Sequence, residues 1–200
     1  MARPRAADHD QQRAAILAHA AALFAARGYH GTSMNEVAQA AGIGKATLYH
    51  YVRDKPALVV QIAQGHVATL LALVAEVRAL KLKPEPHLRT LLTRFMAVYA
   101  GAQAAHRVLS EDVKFLAPDA ADAVRARERE VVAEFARSIA QLRPDLRAQA
   151  TPLAMLLLGM INWTFTWLKP GGALTHEALA PMVADLFFGG LRAVARPAKK

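Results

Sequence analysis

A chain of 200 residues and 21.6 kDa with no cysteine cannot be a disulfide-stapled domain or use cysteine-ligated zinc, and it fits a reducing cytoplasm. Hydrophobic residues make up 54% but aromatics only 6%, so alanine and leucine dominate and helix is favoured. A net charge of +9 points to a polyanionic partner without locating it, since residues 1–60, 61–150 and 151–200 each carry +3.

Residues 1–10, MARPRAADHD, contain arginines but no following apolar run, so no signal peptide is predicted and the segment is expected to be a flexible arm. Arg3 and Arg5 in it are either minor-groove ligands or solvated side chains. A first helix is predicted from near Asp10 to Ala26, with Ile16, Leu17, Ala20, Leu23 and Phe24 as its apolar stripe. Ser33 followed by Glu36 is a capping box. Val37, Ala38 and Ala41 share a face, and Gly42 can take the left-handed conformation that ends a helix. Ile43 and Leu48 point inward, which leaves Lys45, Ala46, Thr47, Tyr49 and His50 on or near the other side. Asp54 is an N-cap for the next helix, and Pro56 falls in that helix's first turn. Two short helices joined by a glycine turn are the pattern of a DNA-reading helix-turn-helix.

A long helix over Lys55–Leu80 follows, and Lys81–Pro86 breaks it. Further helices are predicted over about His87–Ala100, on to about Leu116, from Pro118 to Leu142, over Ala150–Leu168 and over Thr175–Val194. No strand pattern or repeat occurs, and the fold class is all-α. The stretch Ala148–Leu168 has no charged residue and is long enough to span a bilayer. Its Gln149, Thr151, Pro152, Asn162, Thr164 and Thr166 are too polar for that, and a helix buried in a core and a subunit interface is preferred. No membrane association is expected.

From about Gln11 to Leu58, through Arg27-Gly28-Tyr29, the caps and glycines and the string Thr47-Leu48-Tyr49-His50-Tyr51, the chain resembles the N-terminal domain of TetR-family transcriptional regulators. It departs from the family at Gly44, where a serine N-cap is commoner, and at Pro56. The resemblance implies a three-helix helix-turn-helix domain over 11–56, a helical ligand-binding and dimerisation domain over 57–196, and a tail over 197–200. Lys45, Thr47, Tyr49 and His50 supply donors for bases and phosphates, and Ala46 is small enough to enter a groove. Thr32 and Ser33 stand at a helix N-terminus, where backbone N–H groups favour phosphate. The resemblance assigns Tyr49 and Lys55 mainly to phosphate, whereas Tyr51 is expected to pack on the first helix.

Farther on, Asn162-Trp163, Trp167-Leu-Lys-Pro170-Gly, Leu174–Leu179 and Phe188-Gly-Gly-Leu191, with His106–Asp112 and Arg125–Arg129, resemble a subgroup of the family that often senses acyl-CoA thioesters or related lipid and aromatic acids. An alanine-rich helical domain leaves room for a pocket lined by Phe95, Tyr99, Phe115, Met160, Trp163 and Trp167, though for each taken singly core is the preferred reading. His66 carries the same ambiguity. Arg94, Arg107, Arg125 and Arg129 are candidate phosphate partners of CoA or members of solvated ion pairs.

The eight histidines show no metal-ligand spacing, nothing pairs a nucleophile with a base, and Gly42-Ile-Gly-Lys45 lacks the remaining residues of a phosphate-binding loop. Neither a metal nor a cofactor is expected, and the chain is not read as an enzyme. The expected protein is a cytoplasmic homodimeric repressor that binds a palindromic operator in double-stranded DNA, pairs through its last two helices and is released by a hydrophobic or acyl-CoA-type inducer. An activator, or a DNA-binding regulator without an inducer, is the alternative.

Overall fold

A computed structural model describes residues 3–169 and 171–195. Among them are α1 (Arg3–Arg27), α2 (Met34–Ala40), α3 (Lys45–Tyr51), α4 (Lys55–Ala79), α5 (Pro84–Gly101), α6 (Gln103–Glu111), α7 (Pro118–Leu142), α8 (Ala150–Asn162) and α9 (His176–Ala193), with short 3-10 turns at Val113–Phe115, Pro144–Gln149 and Trp163–Thr166. No strand occurs among the described residues.

The chain forms two compact units: Met1–His66 with Ala104–Arg125, and Val67–Gln103 with Ala126–Lys200. The first unit thus runs past residue 56 into α4 and takes in residues 104–125, which sequence order alone groups with the C-terminal domain. Its core is Ile16, Ala20 and Phe24 of α1, Val37 and Ala38 of α2, Leu48 of α3 and Leu58, Val59 and Ile62 of α4. The second unit buries Leu88, Leu91, Leu92, Phe95 and Met96 of α5, Phe135 and Ile139 of α7, Leu157, Leu158 and Ile161 of α8, and Ala180, Val183 and Phe188 of α9.

Two expectations change. The arm expected over 1–10 is helical from Arg3, because Pro4 falls in the first turn and no breaker follows it. This extension also has a tertiary contact, since His9 stacks on Tyr51 at a 4.6 Å centroid distance. The side chains of Arg3 and Arg5, and the tail over 197–200, lie outside the described residues. The helix expected to reach Leu168 ends at Asn162. The Thr164 hydroxyl donates to the Ile161 carbonyl (2.7 Å), and the N–H groups of Trp167 and Leu168 turn back onto the Thr164 carbonyl. The charge-free stretch is therefore a 13-residue helix and a turn, too short to cross a bilayer. Helix α4 is long and apolar enough by composition, but its Leu58, Val59, Ile62, Ala63, Val67 and Leu70 are buried against protein.

Local chemistry accounts for several helix ends. Thr175 caps α9 by accepting from the Ala178 N–H at 3.1 Å. At the other end of α9 the Arg143 guanidinium, oriented by Asp145, donates to the Leu191 carbonyl at 2.7 Å, placing a cation where the helix leaves carbonyls unpaired. In the second unit, the buried Glu134 carboxylate of α7 accepts from Arg78 of α4, Arg137 of its own helix and His87 of α5.

Candidate nucleic-acid interface

The turn between α2 and α3 is the Schellman arrangement that the glycine predicts. Gly42 has φ +66. Its N–H bonds to the Gln39 carbonyl (3.1 Å) and the Ile43 N–H to the Ala38 carbonyl (3.0 Å), which satisfies two carbonyls that the helix end leaves open. A Cβ at Gly42 would touch nothing within 4 Å, so substitution there meets only the backbone penalty. Gly42→Ala is expected to lower stability by about 1 kcal/mol, measured by urea unfolding.

At the start of α2 the capping box is complete. The Ser33 hydroxyl accepts from the Glu36 N–H (3.3 Å), and Glu36 accepts from the Ser33 N–H (2.8 Å). The Ser33 hydroxyl also donates to the Glu36 carboxylate at 2.8 Å, and the Ser33 N–H and hydroxyl together hold that carboxyl below its ordinary range. Glu36 also takes a 2.6 Å bond from Arg27, tying the end of α1 to α2. Asp54 caps α4 by accepting from the Ala57 N–H at 2.8 Å, and that bond lowers the Asp54 pKa.

Helix α3 buries Leu48 completely and exposes Lys45, Ala46, Thr47, Tyr49 and His50. Its N-cap, Gly44, has extended φ/ψ of −69 and 151 and makes no side-chain bond. Five adjacent predicted residues thus share one solvent-facing surface, with Ser33 also exposed.

Two predicted residues stand elsewhere. Thr32 is only 2% exposed and its hydroxyl donates to the Gly28 carbonyl at 3.0 Å, so that hydroxyl is committed to closing α1. Lys55 is half-buried; its ammonium donates to the carbonyls of Tyr29 (2.9 Å) and Thr32 (3.0 Å) and lies 4.3 Å from the Tyr29 ring centroid. Both hold the Tyr29–Ser33 turn in place, so neither presents its side chain as Lys45 does. Sequence reading misses this because a lysine at a helix start looks the same whether it faces a phosphate or its own chain.

The proposed ligand residues stand in different settings. Phe95 is fully buried and meets Phe135 edge to face at 5.0 Å and Tyr99 at 6.2 Å. The Tyr99 hydroxyl donates to Asn162 Oδ1 at 2.7 Å, and burial, reinforced by the charge of Glu128, raises its pKa so that it stays a neutral donor. Trp163 is 62% exposed and Trp167 51% exposed; the early end of α8 turns both outward. Phe115 belongs to the first unit, where it stacks on Tyr29 at 5.3 Å. Met160 lines an apolar groove of about 360 Å³ between α8 and α9, together with Leu153, Leu156, Leu186, Phe187 and Leu191. Arg94, Arg107 and Arg125 sit in exposed ion pairs with Glu76, Glu111 and Asp122. His66 is buried and faces His106 at 3.2 Å; burial, then the neighbouring His106, pushes its pKa down to about 4.

A short capped helix, a left-handed glycine turn and a second helix anchored by one buried leucine beneath a row of donors define a helix-turn-helix regulator of transcription, not an enzyme. Residues 16–62 match the tetR family of bacterial regulatory proteins, and residues 81–191 match the tetracyclin repressor-like C-terminal domain. The chain belongs to the TetR family. A TetR-family regulator from Bordetella parapertussis 12822 is 34% identical, with a TM-score of 0.83 over 92% of this chain and 98% of that one. AibR, in its crystal structure with isovaleryl coenzyme A and operator DNA, is 27% identical with a TM-score of 0.78, covering 88% and 97% of the two chains. The transcriptional repressor KstR2 of Rhodococcus jostii (strain RHA1) is 27% identical over 90% of this chain and 91% of its own.

Proposed function

We propose that this protein is a cytoplasmic repressor that binds a palindromic operator as a homodimer and is released by a hydrophobic or acyl-CoA-type inducer. The observation that carries the DNA-binding half is the exposed row Lys45, Ala46, Thr47, Tyr49 and His50 above the buried Leu48. Two such helices would enter successive major grooves about 34–36 Å apart. Ser33 would add a phosphate contact, while Thr32 and Lys55 would contribute by fixing the turn that leads into α2.

The apolar face of α8 and α9 supports the dimer. Met155, Leu156, Met182 and Leu186 are each more than half exposed. A Cβ at Gly159, Gly189 or Gly190 would meet nothing within 4 Å, which leaves room for close approach by a second copy. The twofold packing of these helices would make a self-complementary four-helix interface. The likeness to AibR supports a CoA thioester as inducer, and Phe95 and Tyr99, with Asn162 beside them, are the part of the second unit we assign to its acyl end. An inducer of this kind shifts operator affinity by about 5–150-fold.

The test is selection of genomic fragments by the purified protein, followed by titration of the enriched duplex. Tyr49→Ala should weaken the operator and an unrelated duplex alike, by about tenfold, through loss of a phosphate contact. Thr47→Ala should lower discrimination between the two by about 1–3 kcal/mol. Wild-type affinities in both variants would place DNA reading on another surface.

A further inference from the structure

Neither the exposed row of α3 nor the apolar face of α8 and α9 accounts for Phe115. Phe115 is 38% exposed, yet its ring lies nearly parallel to Tyr29 (5.3 Å between centroids, 15° between planes) and meets the His30 edge at 4.6 Å and 74°. Lys114 Nζ lies 5.1 Å from the centroid of the Phe115 ring, and Lys55 Nζ lies 4.3 Å from that of Tyr29. Two aromatic rings are thus stacked with a cation near each. The Lys55 cation also holds the Tyr29 and Thr32 carbonyls, and Ser33, which caps α2, comes next in the chain.

Phe115 is rigidly joined to α6. The Asp112 N–H bonds to the Val108 carbonyl (2.9 Å) and the Phe115 N–H to the Asp112 carbonyl (3.0 Å), so α6 runs into the short turn that carries the ring without a slack residue. Asp112 is itself buried; burial and the neighbouring Glu111 push its pKa up to about 6. One turn from the start of α6, His106 meets His66 of α4 at 3.2 Å. The α6 segment therefore grips the rest of the first unit at two points, and the distal one lies on the turn that leads into α2.

We propose that Phe115 is a positioning residue for DNA binding: its stack on Tyr29 clasps the Tyr29–Ser33 turn to the end of α6, so that the orientation of α2 and α3 follows the position of α6. This rests on the reading of α3 as the DNA-contacting helix. A displacement of α6 would then reach the recognition helix through a contact remote from every DNA-facing side chain.

The test uses the full chain with Phe115→Ala, Phe115→Leu (apolar bulk without a ring) and Phe115→Tyr (ring retained). Operator and unrelated duplexes are titrated by fluorescence anisotropy, and backbone hydrogen exchange is followed by mass spectrometry. In the alanine and leucine variants operator affinity should fall about 5–20-fold, with affinity for the unrelated duplex within about twofold of wild type. Exchange should quicken over residues 29–40 and stay unchanged over 150–191, and Phe115→Tyr should restore both. Wild-type exchange over 29–40 in Phe115→Leu, or wild-type operator affinity despite faster exchange, overturns the clasp. A wild-type protein that binds no duplex would sink the proposed function; the exchange experiment then decides by itself whether Phe115 holds the turn.

Discussion

Leu186→Glu should turn the protein into a monomer at micromolar concentration, because the 69% exposure of Leu186 lies on the face we assign to the dimer. In a self-complementary interface one substitution introduces two charges, and each would be desolvated without a partner. Unpaired buried charges cost several kcal/mol each, and every 1.4 kcal/mol is tenfold in affinity, so dissociation should strengthen by more than about 100-fold. Sedimentation velocity reads this directly. Operator binding should fall with it, since a monomer holds only one half-site, while helical content by circular dichroism should be unchanged because the side chain contributes little to its own unit. A Leu186→Glu protein that remains dimeric would move the interface off this face.

The second large effect is expected in the core of the second unit. Glu134→Gln keeps the volume of the side chain but removes the charge that Arg78, Arg137 and His87 converge on. The Glu134 carboxylate is 4% exposed, whereas Arg78 and Arg137 are 59% and 52% exposed. The two partners are therefore unequal. Removing either arginine leaves the carboxylate one cation and returns the lost donor's site to water, which costs about 1 kcal/mol or less. Removing the carboxylate charge cancels three charge-assisted bonds at once and leaves two guanidiniums facing each other, for a loss of about 2–3 kcal/mol. Urea unfolding of Glu134→Gln beside Arg78→Ala and Arg137→Ala separates the cases. Equal losses in all three would mean that the carboxylate is not the hub.

Glu134 also shows where sequence reading stops. It follows the alternating run Arg125–Glu130, and nothing in its spacing separates it from those solvated neighbours. Burial makes the difference, and burial depends on α4 and α5 arriving from distant parts of the chain. Phe115 and Lys55 teach the same lesson. Each is a residue type suited to the role the sequence suggested, one for an aromatic pocket and one for a phosphate, but their side chains end on Tyr29.

What the sequence determined by itself is everything decided within about one helical turn. The Ser33–Glu36 box, the left-handed Gly42, the Asp54 cap and the inward Leu48 depend on φ/ψ preference and hydrogen bonds to near neighbours, so both short helices, the turn between them and the exposed row on α3 were legible before any packing was known. Tertiary structure decided which of the remaining polar and aromatic side chains face water and which face protein. It recruited residues 104–125 to the first unit and committed Lys55 to the Tyr29–Ser33 turn. Those outcomes depend on contacts between residues tens of positions apart, which no local pattern encodes.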